Sequence, residues 1–277
     1  MEKFIFNFTP TGMIPTKEMS SFVPITPSEI IDDTLEAVEL GINMVHLHAR
    51  EIDTGKPTYK KEIYAEIIGG IRKYAKDLVI CVSTSGRNWS DFDKRSEVLE
   101  LTGIYKPDFG SLTLSSLNFN KQASINDPEI IIALATKMLK NDIKPELEAF
   151  DLGMINYAKY LISKDLITPP YYFNLILGNI ACAQANMLSF GLMEKELPEY
   201  SIWSAGGVGN SQLKVNAMSL LSGGGIRVGL EDNIWYNEGR TRLASNKDLV
   251  LRIKNIAETL GREPLTHKEA RLKLGLS

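Results

Sequence analysis

Apolar positions along the chain follow two rhythms that take turns. Short runs dense in β-branched, aromatic and leucine side chains predict strands at Phe4–Phe8, Met44–Ala49, Leu78–Thr84, Phe109–Ser115, Lys144–Phe150, Tyr171–Leu177, Tyr200–Ala205 and Gly225–Leu230. Between them apolar residues recur at helical spacing, as with Ile130, Ile131, Leu134 and Met138 after the start signal Asp127-Pro128-Glu129. Thr26-Pro27-Ser28-Glu29 reads as a capping box with proline in the first turn, opening a helix that should run to Leu40 and stop before Gly41. Thr266-His267-Lys268-Glu269 repeats the box ahead of a short last helix.

Successive strand starts lie about 25 to 40 residues apart, one βα unit each. Eight such units in one chain of this length predict a single-domain α/β (β/α)8 TIM barrel over residues 1–277. An open doubly wound sheet needs fewer strands and commonly carries a GxGxxG turn after the first; here that place reads Thr9-Pro10-Thr11-Gly12. No linker rich in Pro, Gly or Ser divides the chain. In a barrel of this kind, functional side chains belong at the C-terminal ends of the strands.

Composition narrows the function. The chain has 277 residues, 44% hydrophobic and 23% charged, enough to bury a large core and too apolar for disorder. Lys+Arg 31 against Asp+Glu 34 gives net charge −3, so no basic excess recruits nucleic acid or anionic lipid. Cys81 and Cys182 are the only cysteines, which predicts no disulfide framework and a cytoplasmic location. No stretch approaches the ~20 apolar residues of a membrane span, and no signal peptide is expected. Of three histidines, two are His46 and His48.

Residues two apart on a strand share a face, so His46 and His48 project together at the end of the second strand. Two imidazoles side by side are half of a metal site, with zinc the commonest occupant. The candidate third ligand is Glu231, at the end of the eighth strand, which closes onto the first beside the second. A His₂Glu shell leaves a position open for substrate, the catalytic pattern. The alternative for Glu231-Asp232 is a helix cap with a solvated neighbour. Arg227 shares parity with Glu231 roughly 13 Å below it and needs an anionic partner, either Glu148 or a substrate carboxylate. Glu146 and Glu148 share the inward face of the fifth strand, where one carboxyl pKa should rise unless a cation lies near. Ser83 and Ser85, and Ser111, Thr113 and Ser115, put hydroxyls on inward faces, either toward a ligand or bonded to backbone. Gly206-Gly207-Val208-Gly209 is either a phosphate or nucleotide-tail cradle or a tight turn. Gly223-Gly224-Gly225 reads as a turn at the opposite end, and His267 as a surface residue of the last helix.

With His46-Leu47-His48-Ala49-Arg50 and Arg227-Val228-Gly229-Leu230-Glu231-Asp232-Asn233, the chain resembles the β-keto acid cleavage enzymes, the family of 3-keto-5-aminohexanoate cleavage enzyme. Pro24-Ile25-Thr26-Pro27-Ser28-Glu29-Ile30, Ser83-Thr84-Ser85-Gly86, Pro145-Glu146-Leu147-Glu148 and Gly261-Arg262-Glu263-Pro264 extend the resemblance along nearly the whole chain. It implies a zinc-dependent barrel that converts a β-keto acid and acetyl-CoA to acetoacetate and a new acyl-CoA. It further implies that His46, His48 and Glu231 hold Zn2+, and that zinc binds the keto acid through its carbonyl and carboxylate oxygens. Asp232 is then the general base, supported by Arg227, and Ser83, Glu148 and Ser111 line the substrate site. A homo-oligomer, a tetramer, is implied as well. Two departures bear on the substrate. The loop after the first strand, Thr11-Gly12-Met13-Ile14-Pro15-Thr16-Lys17, holds no acid for an ammonium group, so a neutral or anionic substrate side chain is expected. The loop after the sixth strand, Gly178-Asn179-Ile180-Ala181-Cys182-Ala183, lacks the paired glycines expected of the family. Two other readings of the barrel compete: a metal-dependent aldolase or lyase that needs no CoA, and a catalytically inert ligand-binding protein.

Overall fold

Eight parallel strands close into a barrel in sequence order, each hydrogen-bonded to the next and the last to the first. They are β1 (Phe6–Phe8), β2 (Met44–Leu47), β3 (Val79–Val82), β4 (Phe109–Thr113), β5 (Lys144–Ala149), β6 (Tyr171–Leu177), β7 (Ser201–Gly207) and β8 (Gly225–Val228). The computed structural model describes residues 2–276. Around the barrel run α1 (Pro27–Glu39), α2 (Lys61–Arg72), α3 (Phe92–Ser96), α4 (Pro128–Lys140), α5 (Leu152–Ser163), α6 (Met187–Lys195), α7 (Ser211–Leu221) and α8 (Asn246–Thr259), with α9 (His267–Lys273) last. This is the (β/α)8 architecture that the alternating rhythm predicts. The third unit is the irregular one, its α3 followed by a 3₁₀ turn at Glu97–Glu100. No helix among the described residues is long and apolar enough to cross a membrane.

The helix starts behave as their sequences require. Thr26 Oγ1 accepts the Glu29 amide at 3.2 Å while Glu29 Oε2 accepts the amides of Thr26 and Ile25 at 3.0 and 2.9 Å, satisfying donors that a bare N-terminus leaves open. Pro27, Ile30, Thr34 and Ala37 then form the buried stripe of α1. Asp127 caps α4 by accepting the Ile130 amide alone, and Thr266 with Glu269 forms a second capping box at α9.

Several strand limits differ from the sequence expectation. The first run splits: Lys3–Phe4 pairs with Glu263–Pro264 at the barrel's floor, and only Phe6–Phe8 enters the barrel. The second strand ends at Leu47, because Ala49–Arg50 turns away to pair antiparallel with Pro57–Thr58. The seventh absorbs Gly206 and Gly207, and the eighth stops at Val228.

The barrel interior is layered by polarity. At the floor, Ile5, Met44, Val79, Cys81, Phe109 and Tyr172 pack with Ala270 and Leu274, so α9 seals the end opposite the expected active site. Above them Asn7, His46, Glu146 and Arg227 are all buried. Polar side chains in such a place need partners, and their network fixes the site.

Candidate metal centre and active site

His46 projects inward from β2 and His48 from the residue just past its end. They still meet: the two Nε2 atoms are 3.2 Å apart, and His48 Nε2 is also 3.2 Å from Glu231 Oε1. Behind them, His46 Nδ1 donates to Glu146 Oε2 at 2.5 Å, and Glu146 Oε1 accepts Asn7 Nδ2 at 2.7 Å. Asn7 also reaches the Tyr172 hydroxyl at 3.3 Å, which donates to Ser204 Oγ at 2.9 Å. One chain of hydrogen bonds thus ties β1, β2, β5, β6 and β7 together beneath the histidines. By fixing Nδ1 as a donor, Glu146 leaves Nε2 of His46 as the atom that faces the site.

Glu231 follows β8 and owes its place to two loops. Asn246, the first residue of α8, accepts the Leu230 amide at 2.9 Å and donates to the Pro10 carbonyl at 2.9 Å. Gly12 lies against the Glu231 side chain with φ +67°; a Cβ there would stand 2.4 Å from Glu231 Cγ. Arg50, buried and without a carboxylate hydrogen-bonded to it among the described residues, donates to the carbonyls of Gly12, Pro15 and Gly55, clasping the loop after β1.

Arg227 does reach upward, as its position demands, and it meets both Glu148, the partner that parity suggests, and Asp232, the one that the resemblance implies, with Glu231 added. Nη2 donates to Glu231 Oε1 at 2.8 Å and Nε to Asp232 Oδ2 at 3.0 Å, whereas Glu148 Oε1 lies 3.9 Å from Nη1. The two acids nearest in sequence win, because the chain turns back over the guanidinium immediately after β8. Glu148 also accepts Thr113 Oγ1 at 2.7 Å.

The electrostatics follow from burial and these pairings. Burial opposes charge on His46, yet Glu146 and Glu231 raise its pKa to about 9; His48, where burial prevails over Glu231, falls to about 4. Burial pushes the carboxyl pKa of Glu148 and of Asp232 upward, against the pull of Arg227 on both. Burial resists ionisation of Glu146 and Glu231 too, but His46 outweighs it at Glu146, and Arg227 with the histidines does so at Glu231.

Three ligand atoms, one each from His46, His48 and Glu231, lie within 4.8 Å of one another. Glu231 Oε2 is buried and has no hydrogen-bond partner among the described residues. His48 Nε2 sits between His46 Nε2 and Glu231 Oε1, and a single ring nitrogen cannot accept from one and donate to the other. A cation among the three resolves both conflicts, so the donor set fits a divalent metal such as zinc. The deeper trio of His46, Cys81 and Glu146 is different. Burial and Glu146 push the Cys81 thiol well up, and it donates to Glu146 Oε2 at 3.3 Å.

A cavity of about 500 Å³ opens above, walled by His48, Ser83, Thr113, Glu148, Glu231 and Asp232 among others. Ser111 lies one layer lower, its Oγ accepting the Thr84 amide at 3.1 Å, and Thr113 takes the place on the wall. Of the two readings of Gly206-Gly207-Val208-Gly209, packing prevails. A Cβ on Gly207 would stand 2.6 Å from the Ser211 backbone, and the Val208 and Gly209 amides are spent on the Leu177 and Asp232 carbonyls. His267 donates to the Ile42 carbonyl at the floor, far from the site. Sequence reasoning missed Asn7, Arg50 and Asn246, whose partners lie elsewhere in the chain, and Arg87, which lines the cavity. The strand-end position of Arg50 and Arg87 was the one available signal.

The chain matches the family described as beta-keto acid cleavage enzyme over residues 3–276. It is 35% identical to the 3-keto-5-aminohexanoate cleavage enzyme of Fusobacterium nucleatum subsp. nucleatum, over 100% of this chain and 99% of that one. It is also 35% identical to the 3-oxoadipate:acetyl-CoA acetyltransferase of Cupriavidus necator, over 96% of this chain and 92% of that one. A solved ternary complex of ObcA with a C4-CoA adduct and oxalate shares the fold, with a TM-score of 0.82 at 21% identity, over 93% of this chain and 68% of that one. Since the match runs from the first strand to the last helix, the chain belongs to the family of beta-keto acid cleavage enzymes.

Proposed function

We propose that this protein is a metal-dependent transferase that converts a β-keto acid and acetyl-CoA to acetoacetate and a new acyl-CoA. The observation that carries the reading is the convergence of His46, His48 and Glu231 at a cavity wall shared with Asp232. The acetyl-CoA named for the Cupriavidus relative supports the choice of co-substrate. His46, His48 and Glu231 would hold Zn2+, which when bound supplies Lewis acidity to the keto acid's oxygens and so favours its enolate.

The protein's own groups do the rest. Asp232, gripped by Arg227 and raised in pKa by burial, takes a proton from the carbon between the keto and carboxylate groups. That carbon attacks the acetyl thioester and the CoA thiolate leaves; the thiolate then attacks the original keto carbon, the carbon–carbon bond breaks, and Asp232 returns its proton to the carbon released, so that acetoacetate departs. Arg227 keeps Asp232 aimed and offsets negative charge developing on oxygen. Ser83 and Glu148 face the substrate from the opposite wall, with Ser111 supporting the Thr84 backbone beneath. Met13, Ile14 and Pro15 bring no carboxylate to the cavity, so a substrate ammonium placed against this loop would lose hydration without a partner there. The substrate side chain therefore carries no amino group.

The test is metal analysis followed by an acetoacetate assay over a panel of β-keto acids with and without acetyl-CoA. Expected are about one divalent ion per chain, strict dependence on acetyl-CoA, and a loss of roughly 10²- to 10⁴-fold in kcat for Asp232→Asn with metal retained. Turnover without acetyl-CoA would make the protein a lyase. Full activity in His46→Ala would remove the metal from the reading, and preference for 3-keto-5-aminohexanoate would overturn the substrate assignment.

A further inference from the structure

Four buried guanidiniums near the barrel each donate to the protein, although Nη1 of Arg227 and Nε of Arg262 have no hydrogen-bond partner among the described residues, and a fifth is held half-buried in the cavity wall. Arg50 donates to three carbonyls, Arg95 to the Thr84 and Ile125 carbonyls and Asn126 Oδ1, Arg227 to Glu231 and Asp232, and Arg262 to the carbonyls of Leu220, Gly223 and Gly224. Arg87 is unlike them. It follows β3 in the loop Ser83-Thr84-Ser85-Gly86-Arg87 and lines the cavity, yet among the described residues no carboxylate or carbonyl accepts from its guanidinium.

The residue is nevertheless held, its backbone by hydrogen bonds and its side chain by an aromatic ring. Its amide donates to Ser85 Oγ at 3.3 Å and its carbonyl accepts Gln122 Nε2 at 3.3 Å. The guanidinium lies over the Phe119 ring, 3.6 Å from the centroid, and Phe119 is itself packed edge-on against Phe150. A cation stacked on an aromatic face keeps its N–H edge free for a planar anion. Burial lowers the Arg87 pKa, while the charges of Glu231, Glu148 and Asp232 across the cavity favour its cationic form. The cavity as a whole leans the same way. Three carboxylates, Glu148, Glu231 and Asp232, face four fixed cations, Arg87, Lys121, Arg227 and Arg240, and Arg227 already neutralises part of the acidic side.

Resting on the function proposed above, we infer that Arg87 binds a second, terminal carboxylate of the keto acid, making the substrate a β-keto dicarboxylic acid. The alternative anion, a CoA phosphate, fits less well. The pantetheine arm holds those phosphates far from the reacting thioester, whereas Arg87 sits within the field of the carboxylates that surround the reacting carbon.

The experiment compares kcat/KM for 3-oxoadipate and for 3-oxohexanoate, which has equal length and no second charge, in the native enzyme, Arg87→Met and Arg87→Lys. The native enzyme should prefer the dicarboxylate by roughly ten- to a hundredfold, the range of a charge-assisted hydrogen-bonded pair. Arg87→Met should abolish that preference and leave 3-oxohexanoate turnover, metal content and the KM for acetyl-CoA unchanged; Arg87→Lys should restore part of it. Equal losses on both substrates, a rise confined to the KM for acetyl-CoA, or native preference for 3-oxohexanoate would each overturn the inference. Calorimetric binding of 3-oxoadipate without acetyl-CoA reads the Arg87 contact apart from turnover. Affinity unchanged in Arg87→Met overturns the assignment even if the enzyme is active, and weakened affinity upholds it even if the proposed reaction fails.

Discussion

At the scale of single residues, the site is a set of side chains whose alternatives have been removed. His46 cannot rotate away from its neighbours because Glu146 holds Nδ1, and Glu231 cannot swing outward because Arg227 holds Oε1. Gly12 sets the third constraint, since its left-handed backbone and missing Cβ let the loop lie on the Glu231 side chain. Gly12→Ala should therefore cost about 1 kcal/mol in backbone strain and also displace Glu231. Metal titration should show affinity lowered roughly ten- to a hundredfold, as for the loss of other groups that orient a ligand. Native affinity in that variant would mean the loop yields instead. Sequence parity was sufficient to bring His46 and His48 together and to aim Arg227 at the rim. It could not pair Arg227 with Asp232, because that contact depends on how the chain turns after Val228. Nor could it pair His46 with Glu146, 100 residues away, where two inward-facing positions on separate strands meet only once barrel closure fixes their heights.

At the scale of elements, local sequence was most informative where the physics is local. The capping boxes of α1 and α9 form from residues three apart, and both are present as read. Strand ends were less legible, since His48 leaves β2 in response to the Ala49–Arg50 hairpin and the long-range clasp of Arg50. The box at α1 has a pH signature. Burial works against ionised Glu29, but Lys17 and the amides of Thr26 and Ile25 outweigh it and hold the pKa near 2, below the ordinary 4.5. A depressed carboxyl pKa adds stability that is complete above the unfolded value and is lost as pH falls toward the folded one. Because Glu29 is partly exposed, solvent screening limits the effect to about 1 kcal/mol. Urea unfolding should thus find Glu29→Gln less stable than the native protein at pH 7, with the gap closing between about pH 4.5 and pH 2. A gap that persists at pH 2 would assign the loss to packing.

At the scale of the whole molecule, the floor and the rim of the barrel are built for different tasks. Apolar side chains and α9 close one end, leaving the polar network to converge at the other. Without a cation, Arg227 already compensates Glu231 and Asp232, so removing the metal should leave the protein folded but less stable. Linkage puts the stabilisation near 4 kcal/mol when metal stands at about 1,000 times its Kd, a melting shift on the order of 10 °C. Chelation should lower Tm by that order, zinc should restore it, and Glu231→Gln should respond weakly; a Tm indifferent to chelator would place no metal in the folded protein. The ligand set has a further consequence for synthesis. His46 and His48 emerge early, but Glu231 follows 183 residues after His48, and it reaches them only when β8 lies against β1 with Arg227 beside Asn7. A growing chain can offer two imidazoles to a passing ion long before it can offer the carboxylate. On the proposed function, tight capture of an ion would therefore certify that the ring of strands has been completed in the right order.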